Sequence, residues 1–252
     1  MVTELPQVTL LILTSIAFIA GFISSIAGAG GLLTLPALLW AGLPPLYALG
    51  TNKAQSVPGA LVSAWNFFRS GHLKLAEIRG ALVLAFLGAT AGTLTVQQVS
   101  NDVLIRLIPV LLITIAVYFV FSPRVSDADS LARLSSHQFT WIVAPVMGFY
   151  GGFFGPGMGS ILPFLFVWLR GYNLRKASAH TKALVLVING MSAVLFALSG
   201  KVLWGLVIKM ALAQMVGAYL GSSLVIRRGA GMVQPVIVVV TLALSIKLLV
   251  FP

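Results

Sequence analysis

The sequence predicts an all-α integral membrane protein made of two inverted repeats of about five helical segments each. Its composition predicts the membrane class, because 59% of the 252 residues are hydrophobic and only 8% are charged. A soluble domain usually has roughly 25% charged residues. Internal repetition predicts the two halves, since a glycine-broken apolar stretch at 21–53 recurs at 148–182.

The repeat consists of small residues, prolines and lysines that recur at a nearly constant offset. An offset of 127 residues (148 − 21) pairs Gly21 with Gly148, Gly28 with Gly155, Gly30 with Gly157 and Pro36 with Pro163. An offset of 129 (182 − 53) then pairs Lys53 with Lys182, Gly88 with Gly217 and Gly92 with Gly221. We therefore predict a first membrane repeat at 1–121, a cytoplasmic linker at 122–137 and a second membrane repeat at 138–252.

Each repeat contains five apolar segments, most of them near the ~20 residues that a membrane-spanning helix needs. The second segment of each repeat is shorter and contains a proline, so we expect a half-helix that forms a broken or re-entrant hairpin with the segment before it. The segments are 8–28, 32–43, 46–68, 79–99 and 102–121 in the first repeat, and 138–155, 160–170, 177–198, 203–226 and 231–250 in the second.

Charged connections predict the orientation of these segments. The connection after the third segment is basic in the first repeat, whereas its counterpart has only Lys201. The connection after the second segment shows the reverse pattern, as an inverted repeat requires when Lys and Arg stay in the cytoplasm. Both termini are then periplasmic, and we expect a multi-pass protein of the cell inner membrane. The basic residues are Arg69, His72, Lys74 and Arg79 in the first repeat, and Arg170, Arg175 and Lys176 in the second.

The two glycine clusters are the first candidate binding residues. Backbone that is not helical survives at membrane depth only where it lines a cavity or is buried in protein. The exposed N–H groups of the following half-helix attract anions, and the two breaks are expected to meet near the midplane. Close packing of helices by small residues is the alternative explanation. The candidates are Gly28, Ala29, Gly30 and Gly31, with Gly155, Gly157, Met158, Gly159 and Ser160.

A second set of candidates begins the third segment of each repeat. Lys53 and Lys182 occupy equivalent positions, and an ionisable residue inside a membrane segment usually faces a cavity or a partner. Snorkelling of both lysines to the headgroups is the alternative. Their polar neighbours are further candidates for substrate contacts: Thr51, Asn52, His180 and Thr181.

The absence of cysteine, and of acidic residues within the apolar segments, restricts the ligands that the protein can bind. All five acidic residues, Glu4, Glu77, Asp102, Asp127 and Asp129, lie at termini or in loops. A cation pump or a carboxylate proton relay needs an acid within the membrane, so the ligand is expected to be an anion. There is no cysteine, which excludes thiolate metal sites, and neither a metal nor a cofactor is expected. The net charge of +11 reflects topology, so no nucleic acid is expected as a partner.

The doubled motif resembles the TauE/SafE sulfite exporter family, also called the 4-toluene sulfonate uptake permease family. It runs AGAGGLLTLPALLWAGLPPLYALGTNK in the first repeat and FGPGMGSILPFLFVWLRGYNLRKASAHTK in the second. The resemblance implies transport, often export, of sulfite, sulfoacetate or other sulfonates across the bacterial inner membrane. Met158 and His180 depart from the family's pattern. The family motif is matched by Gly28, Gly30, Gly31, Pro36 and Thr51, and by Gly155, Gly157, Gly159, Pro163 and Thr181.

Three functions are compatible with these residues. The first is a secondary transporter that moves a small sulfur-containing anion by alternating access, with a proton on His180 or a counter-ion as the coupled species. The second is an anion channel of the same architecture. The third, a membrane-embedded enzyme using His180, is disfavoured because no carboxylate is expected near that histidine and no cysteine is present, so we predict no enzymatic activity.

Overall fold

The computed structural model describes residues 5–121 and 130–228. Within those ranges the chain forms helices joined by short connections, and no strand is found. The predicted tenth segment, 231–250, lies outside the described residues, as does most of the predicted linker. Four of the described helices are long and apolar enough to cross a membrane.

The helix boundaries agree with the predicted apolar segments to within a few residues. The first repeat contains α1 (Gln7–Ala27), α2 (Gly31–Trp40), α3 (Pro45–Arg69), α4 (Leu75–Gln97) and α5 (Asn101–Phe121). The second contains α6 (Ser136–Gln138), a π-helical turn (Phe139–Val143), α7 (Ala144–Phe153), α8 (Met158–Arg170), α9 (Leu174–Leu198) and α10 (Trp204–Arg228).

Local residue chemistry explains where several helices begin and end. Gly28 ends α1 at a φ of 75° and Gly171 ends α8 at a φ of 67°, a left-handed conformation that glycine adopts without a steric cost. Asn173 caps α9, because its side-chain oxygen accepts a 2.8 Å hydrogen bond from the N–H of Lys176. The predicted half-helices are confirmed as short helices, since α2 has 10 residues and α8 has 13.

Glycines bring helices of different repeats into backbone contact. Gly217 of α10 is so close to α1 that an added Cβ would lie 2.1 Å from the carbonyl oxygen of Phe18. Gly88 of α4 would place a Cβ 2.2 Å from the oxygen of Pro145 in α7. Residues 18 and 145 differ by 127 and residues 88 and 217 by 129, so the two contacts are equivalent under the repeat. Each repeat thus packs its first segment against the fourth segment of the other repeat.

The hydrophobic core is also shared between the repeats. One buried cluster joins Leu35 and Leu49 of the first repeat with Phe196 of the second. The other cluster joins Phe67 of the first repeat with Leu184 of the second. Large apolar side chains that face outward, such as Leu11, Val83, Ile142 and Leu212, remain exposed, as expected of a surface that contacts lipid.

The two basic connections lie on the same side of the molecule. Lys176, at the start of α9, donates from Nζ to Oε2 of Glu77 in the first turn of α4, at 2.9 Å. This contact joins the basic segment after α3 to the basic segment before α9. It agrees with the prediction that both segments lie on one membrane face.

Asn66 joins α3 to α10 through side-chain hydrogen bonds. Its Nδ2 donates to Oγ of Ser222 at 2.7 Å. We expect Asn66→Ala to lower the free energy of unfolding by about 1 kcal/mol, because its interhelical hydrogen bonds to Ser222 and Ser223 are lost. Thermal unfolding in detergent measures this effect, and Gln98→Ala on the exposed end of α4 is the control. Equal unfolding temperatures in the two variants would show that these bonds contribute nothing to stability.

Candidate functional site

The two glycine breaks lie directly against each other. An added Cβ on Gly28 would lie 1.8 Å from the carbonyl oxygen of Gly159, and one on Gly31 would lie 3.3 Å from Cα of Pro156. Only residues without a side chain allow this approach at Gly28 and Gly159. The predicted meeting of the two breaks is therefore seen in the structure.

A cavity of about 50 Å³ opens beside this contact. On this measure a single water needs about 10–15 Å³, so the cavity holds about four water-sized groups. Both repeats contribute to its wall. The lining residues include Ser24, Ser25, Gly28, Gly31, Asn52, Lys53, Ser56, Gly59 and Ser63 of the first repeat, and Gly155, Pro156, Gly157, Met158, Gly159, Lys182, Val185, Asn189 and Gln214 of the second.

Both lysines line the cavity, and their burial argues against snorkelling. Lys53 is 2% exposed and Lys182 is 4% exposed, whereas a snorkelling lysine places its ammonium group in water. Nζ of Lys53 donates to the carbonyl oxygen of Gly151 and lies 3.4 Å from Oδ1 of Asn189. Nζ of Lys182 donates to the carbonyl oxygen of Ser24. Each lysine therefore binds the backbone of the opposite repeat.

The two lysine contacts are equivalent under the repeat. Ser24 and Gly151 are 127 residues apart (151 − 24) and lie in the last turns of α1 and α7. A helix C-terminus has a partial negative charge that a cation stabilises. Each lysine thus donates a hydrogen bond to the C-terminal turn of a helix of the other repeat.

The net charge at the cavity is positive when the lysines are protonated. The ends of α1 and α7 each contribute about half a negative charge, and the starts of α2 and α8 each contribute about half a positive charge. These helix-end charges cancel, which leaves the two ammonium groups. No carboxylate is present among the cavity-lining residues in the described part of the chain.

Two lining polar atoms have no hydrogen-bond partner within 5–121 and 130–228. They are Oγ of Ser63 and Oε1 of Gln214, and both are buried. A buried polar atom without a partner costs about 1–3 kcal/mol, so such atoms usually meet water or a ligand. Their position in this wall is consistent with a cavity that holds a polar guest.

Some of the predicted site residues lie outside this lining. Leu203 donates its N–H to Oγ1 of Thr51 at 3.2 Å, and Ser160 donates to the carbonyl oxygen of Ala27. Gly30 faces α1, where an added Cβ would lie 2.5 Å from the carbonyl oxygen of Ala20. The predicted residues that line the cavity are Gly28, Gly31, Asn52, Lys53, Gly155, Gly157, Met158, Gly159 and Lys182, and those that do not are Ala29, Gly30, Thr51, Ser160, His180 and Thr181.

His180 lies beside the basic connections rather than in the cavity wall. Its Nδ1–H donates to the carbonyl oxygen of Lys176 at 2.9 Å, and its ring packs against Phe166 and Tyr172. Its Nε2 lies 3.8 Å from Oε2 of Glu77. The expectation that no carboxylate lies near this histidine is therefore wrong. The first turn of α4 brings Glu77 to it from a distant part of the sequence.

Sequence reasoning assigned Asn52 to the site, but it did not assign the serines of the wall or the amides Asn189 and Gln214. Ser56 and Ser63 follow Lys53 by three and ten residues, and Asn189 follows Lys182 by seven. Residues at these spacings lie close to one face of a helix. A small or polar stripe extending from each lysine along α3 and α9 was therefore the available signal.

Known proteins share this sequence over almost its full length. The family model for "Sulfite exporter TauE/SafE" matches residues 13–248. A probable membrane transporter protein of Haemophilus influenzae is 41% identical over 239 residues, covering 95% of this chain and 94% of the relative. Probable membrane transporter protein ORF9 of a Sinorhizobium species is 43% identical over 236 residues, covering 94% and 90%. YfcA, a probable membrane transporter protein of Escherichia coli K12, is 42% identical over 238 residues, covering 94% and 88%.

No solved structure matches the chain. The relatives are named as transporters, and their similarity covers both glycine breaks and both lysines. A family model that spans most of the chain includes the cavity and the helices that form it. The chain is accordingly a membrane transporter and belongs to the sulfite exporter TauE/SafE family.

Proposed function

We propose that this protein is a secondary transporter that exports a small sulfur-containing oxyanion across the bacterial inner membrane. The observation that carries the proposal is the cavity between the repeats, where Lys53 and Lys182 are buried without a carboxylate in the described lining. The family name supports the sulfur chemistry. The charge of the cavity supports an anion independently of that name.

Burial of two lysine side chains in the cavity wall has an electrostatic cost when both are protonated. A buried ammonium group that is not neutralised costs several kcal/mol, even when neutral groups accept its hydrogen bonds. In the described part of the chain the acidic residues are Glu77 and Asp102, and each lies in the first turn of its helix rather than in a loop as predicted. Neither lines the cavity. A bound anion would supply the missing negative charge.

The size of the cavity favours the smallest members of the substrate class. Room for about four water-sized groups fits sulfite, which consists of one sulfur atom and its oxygens. An aromatic sulfonate needs additional space for its ring, and the wall consists largely of serine, glycine and amide groups rather than large apolar side chains. We therefore propose sulfite or a similarly small oxyanion in preference to bulky organosulfonates.

Reciprocal contacts support alternating access by two inverted repeats. Lys53 binds the second repeat at Gly151 and Lys182 binds the first at Ser24, so the cavity lies on the surface along which the repeats meet. Rocking of one repeat against the other exposes such a site to each side in turn. With the basic connections in the cytoplasm, both termini are periplasmic.

We expect purified protein in proteoliposomes to move ³⁵S-sulfite with saturable kinetics, and liposomes without protein to show only background flux. Unlabelled sulfite is expected to compete about tenfold better than 4-toluenesulfonate, because the ring exceeds the roughly four water-sized groups that the cavity holds. Absence of saturable flux for sulfite and other small oxyanions would contradict the proposed function. Rapid, non-saturable flux with single-channel currents would identify an anion channel instead.

A further inference from the structure

A second cavity lies at the surface, where the connection between α3 and α4 meets the start of α9. Its volume is about 360 Å³, and it is separate from the cavity between the repeats. We call it the basic pocket. Its lining residues are Gly71, His72, Lys74, Asn173, Arg175 and Lys176.

Positive charge exceeds negative charge around the basic pocket. Lys74, Arg175 and Lys176 line it, whereas Glu77 is the acidic residue that pairs with this group in the described part of the chain. The Glu77 carboxylate lies 2.9 Å from Nζ of Lys176 and 3.8 Å from Nζ of Lys74. The group therefore contains three cations and one carboxylate. Glu77 pairs with Lys74 and Lys176, and Arg175 has no carboxylate partner within the described ranges.

Arg175 also has an unused hydrogen-bond donor. Its Nε is buried and has no hydrogen-bond partner in the described part of the chain. Arginine binds oxyanions through parallel N–H donors, and an N–H group that is shielded from water without a partner is costly. Arg175 lines the basic pocket, so its guanidinium is the group that an oxyanion bound there would contact.

The pKa of His72 is lowered in part by the same excess of positive charge. Burial is the main cause that lowers the pKa of His72 below its ordinary value, and the positive charge of Arg175 lowers it further, against an opposing hydrogen bond at Ser70. Like charges disfavour each other's charged forms at short range. The start of the 25-residue helix α9 adds the partial positive charge of a helix N-terminus to the same wall.

We propose that the basic pocket is a second anion site, which binds a small oxyanion or a phosphate group through Arg175 and Lys74. This inference does not depend on what the cavity between the repeats transports. A dissolved oxyanion and the phosphate of a lipid headgroup share this chemistry. Lys176 precedes Lys182 by six residues on α9, so the two sites are separated by about 9 Å along the helix axis.

The experiment needs a readout that distinguishes the two anion sites. The chain has three histidines, and His72 lines the basic pocket, so ring ¹⁵N resonances of the purified, delipidated full-length protein report on that pocket. Inorganic phosphate is the probe, and His137 is the internal reference. We expect phosphate to shift the His72 resonance along a saturable curve and to raise its pKa, because the anion offsets the charge of Arg175.

The variant Lys74→Gln/Arg175→Gln removes two charges from the basic pocket, and Arg106→Gln/Lys201→Gln removes two charges elsewhere. We expect phosphate to bind the pocket variant at least about tenfold more weakly, a loss of about 1.4 kcal/mol, because charge-assisted contacts to the anion are removed. The control variant is expected to bind phosphate as tightly as the wild type. A phosphate-dependent shift of the His72 resonance that saturates at the same phosphate concentration in the pocket variant as in the wild type would overturn the proposal. The absence of any phosphate-dependent shift in the wild type, together with no lipid effect, would also overturn it.

Lipid nanodiscs identify the source of the phosphate. If the headgroup occupies the basic pocket, phosphatidylglycerol nanodiscs shift His72 as phosphate does, and added phosphate has no further effect. If the ligand is a dissolved oxyanion, phosphate shifts His72 equally in nanodiscs and in detergent. Should the double variant unfold, Lys74→Gln alone provides the test, because 72% of that side chain is exposed. A single variant with wild-type phosphate affinity would then contradict a contact from Lys74.

Discussion

Replacing Lys53 or Lys182 with methionine is expected to lower the rate of anion transport by about 100-fold, because loss of one partner from a buried charged contact typically costs 2–5 kcal/mol. Each substitution removes half of the positive charge in the cavity. It also leaves a helix-terminal carbonyl oxygen, that of Gly151 or Ser24, without its lysine donor. Methionine is unbranched like lysine and only one atom shorter, so most of the side-chain volume in the cavity wall is kept.

Lys209→Met is the matched control for this experiment. Lys209 lies on α10 with its side chain exposed, and we expect its replacement to leave ³⁵S-sulfite flux unchanged. Size-exclusion profiles and unfolding temperatures in detergent separate a loss of function from a loss of folding. Wild-type flux in both Lys53→Met and Lys182→Met would remove these lysines from the transport site.

Gly28→Ala is expected to prevent folding or to lower the free energy of unfolding by more than about 4 kcal/mol, the range typical of severe packing faults. A left-handed conformation costs a non-glycine residue about 1–2 kcal/mol, and Gly28 has a φ of 75°. The larger part of the cost is steric, because the new Cβ would lie 1.8 Å from the carbonyl oxygen of Gly159. Backbone on both sides of this contact prevents a local adjustment.

Gly42→Ala isolates the conformational part of that cost. Gly42 has a φ of 85°, and an added Cβ would meet no atom within 4 Å, so we expect a loss of only about 1–2 kcal/mol. Thermal unfolding in detergent compares the two variants directly. If they lost the same stability, the contact between the two glycine breaks would not be essential for folding.

Helix boundaries could be predicted closely because each depends on residues within one or two turns. Gly28 and Gly30 predicted the break between α1 and α2, and Gly155 and Gly157 predicted the break before α8. The predicted site was less complete. Thr51 and Lys53 are two residues apart in the sequence, yet only Lys53 of this pair lines the cavity, because two residues turn about 200° around a helix axis.

His180 shows why a neighbouring position does not predict a shared site. It lies two residues before Lys182, but its side chain extends toward Phe166, Tyr172 and Glu77 instead of the cavity. The serines of the wall were missed because their residue type does not indicate whether they face a cavity. A serine in a membrane helix also bonds within its own helix, so its residue type alone does not indicate a cavity.

The sequence by itself determined the membrane class, the helical segments, the two glycine breaks and the absence of an acid from the candidate site. These features follow from composition and from local spacing. The tertiary structure alone showed that Lys53 reaches Gly151 and Lys182 reaches Ser24, across 98 and 158 residues. Every residue has a carbonyl oxygen, so no residue type marks the one that a lysine will bind. Only the packing of the two repeats against each other selects it.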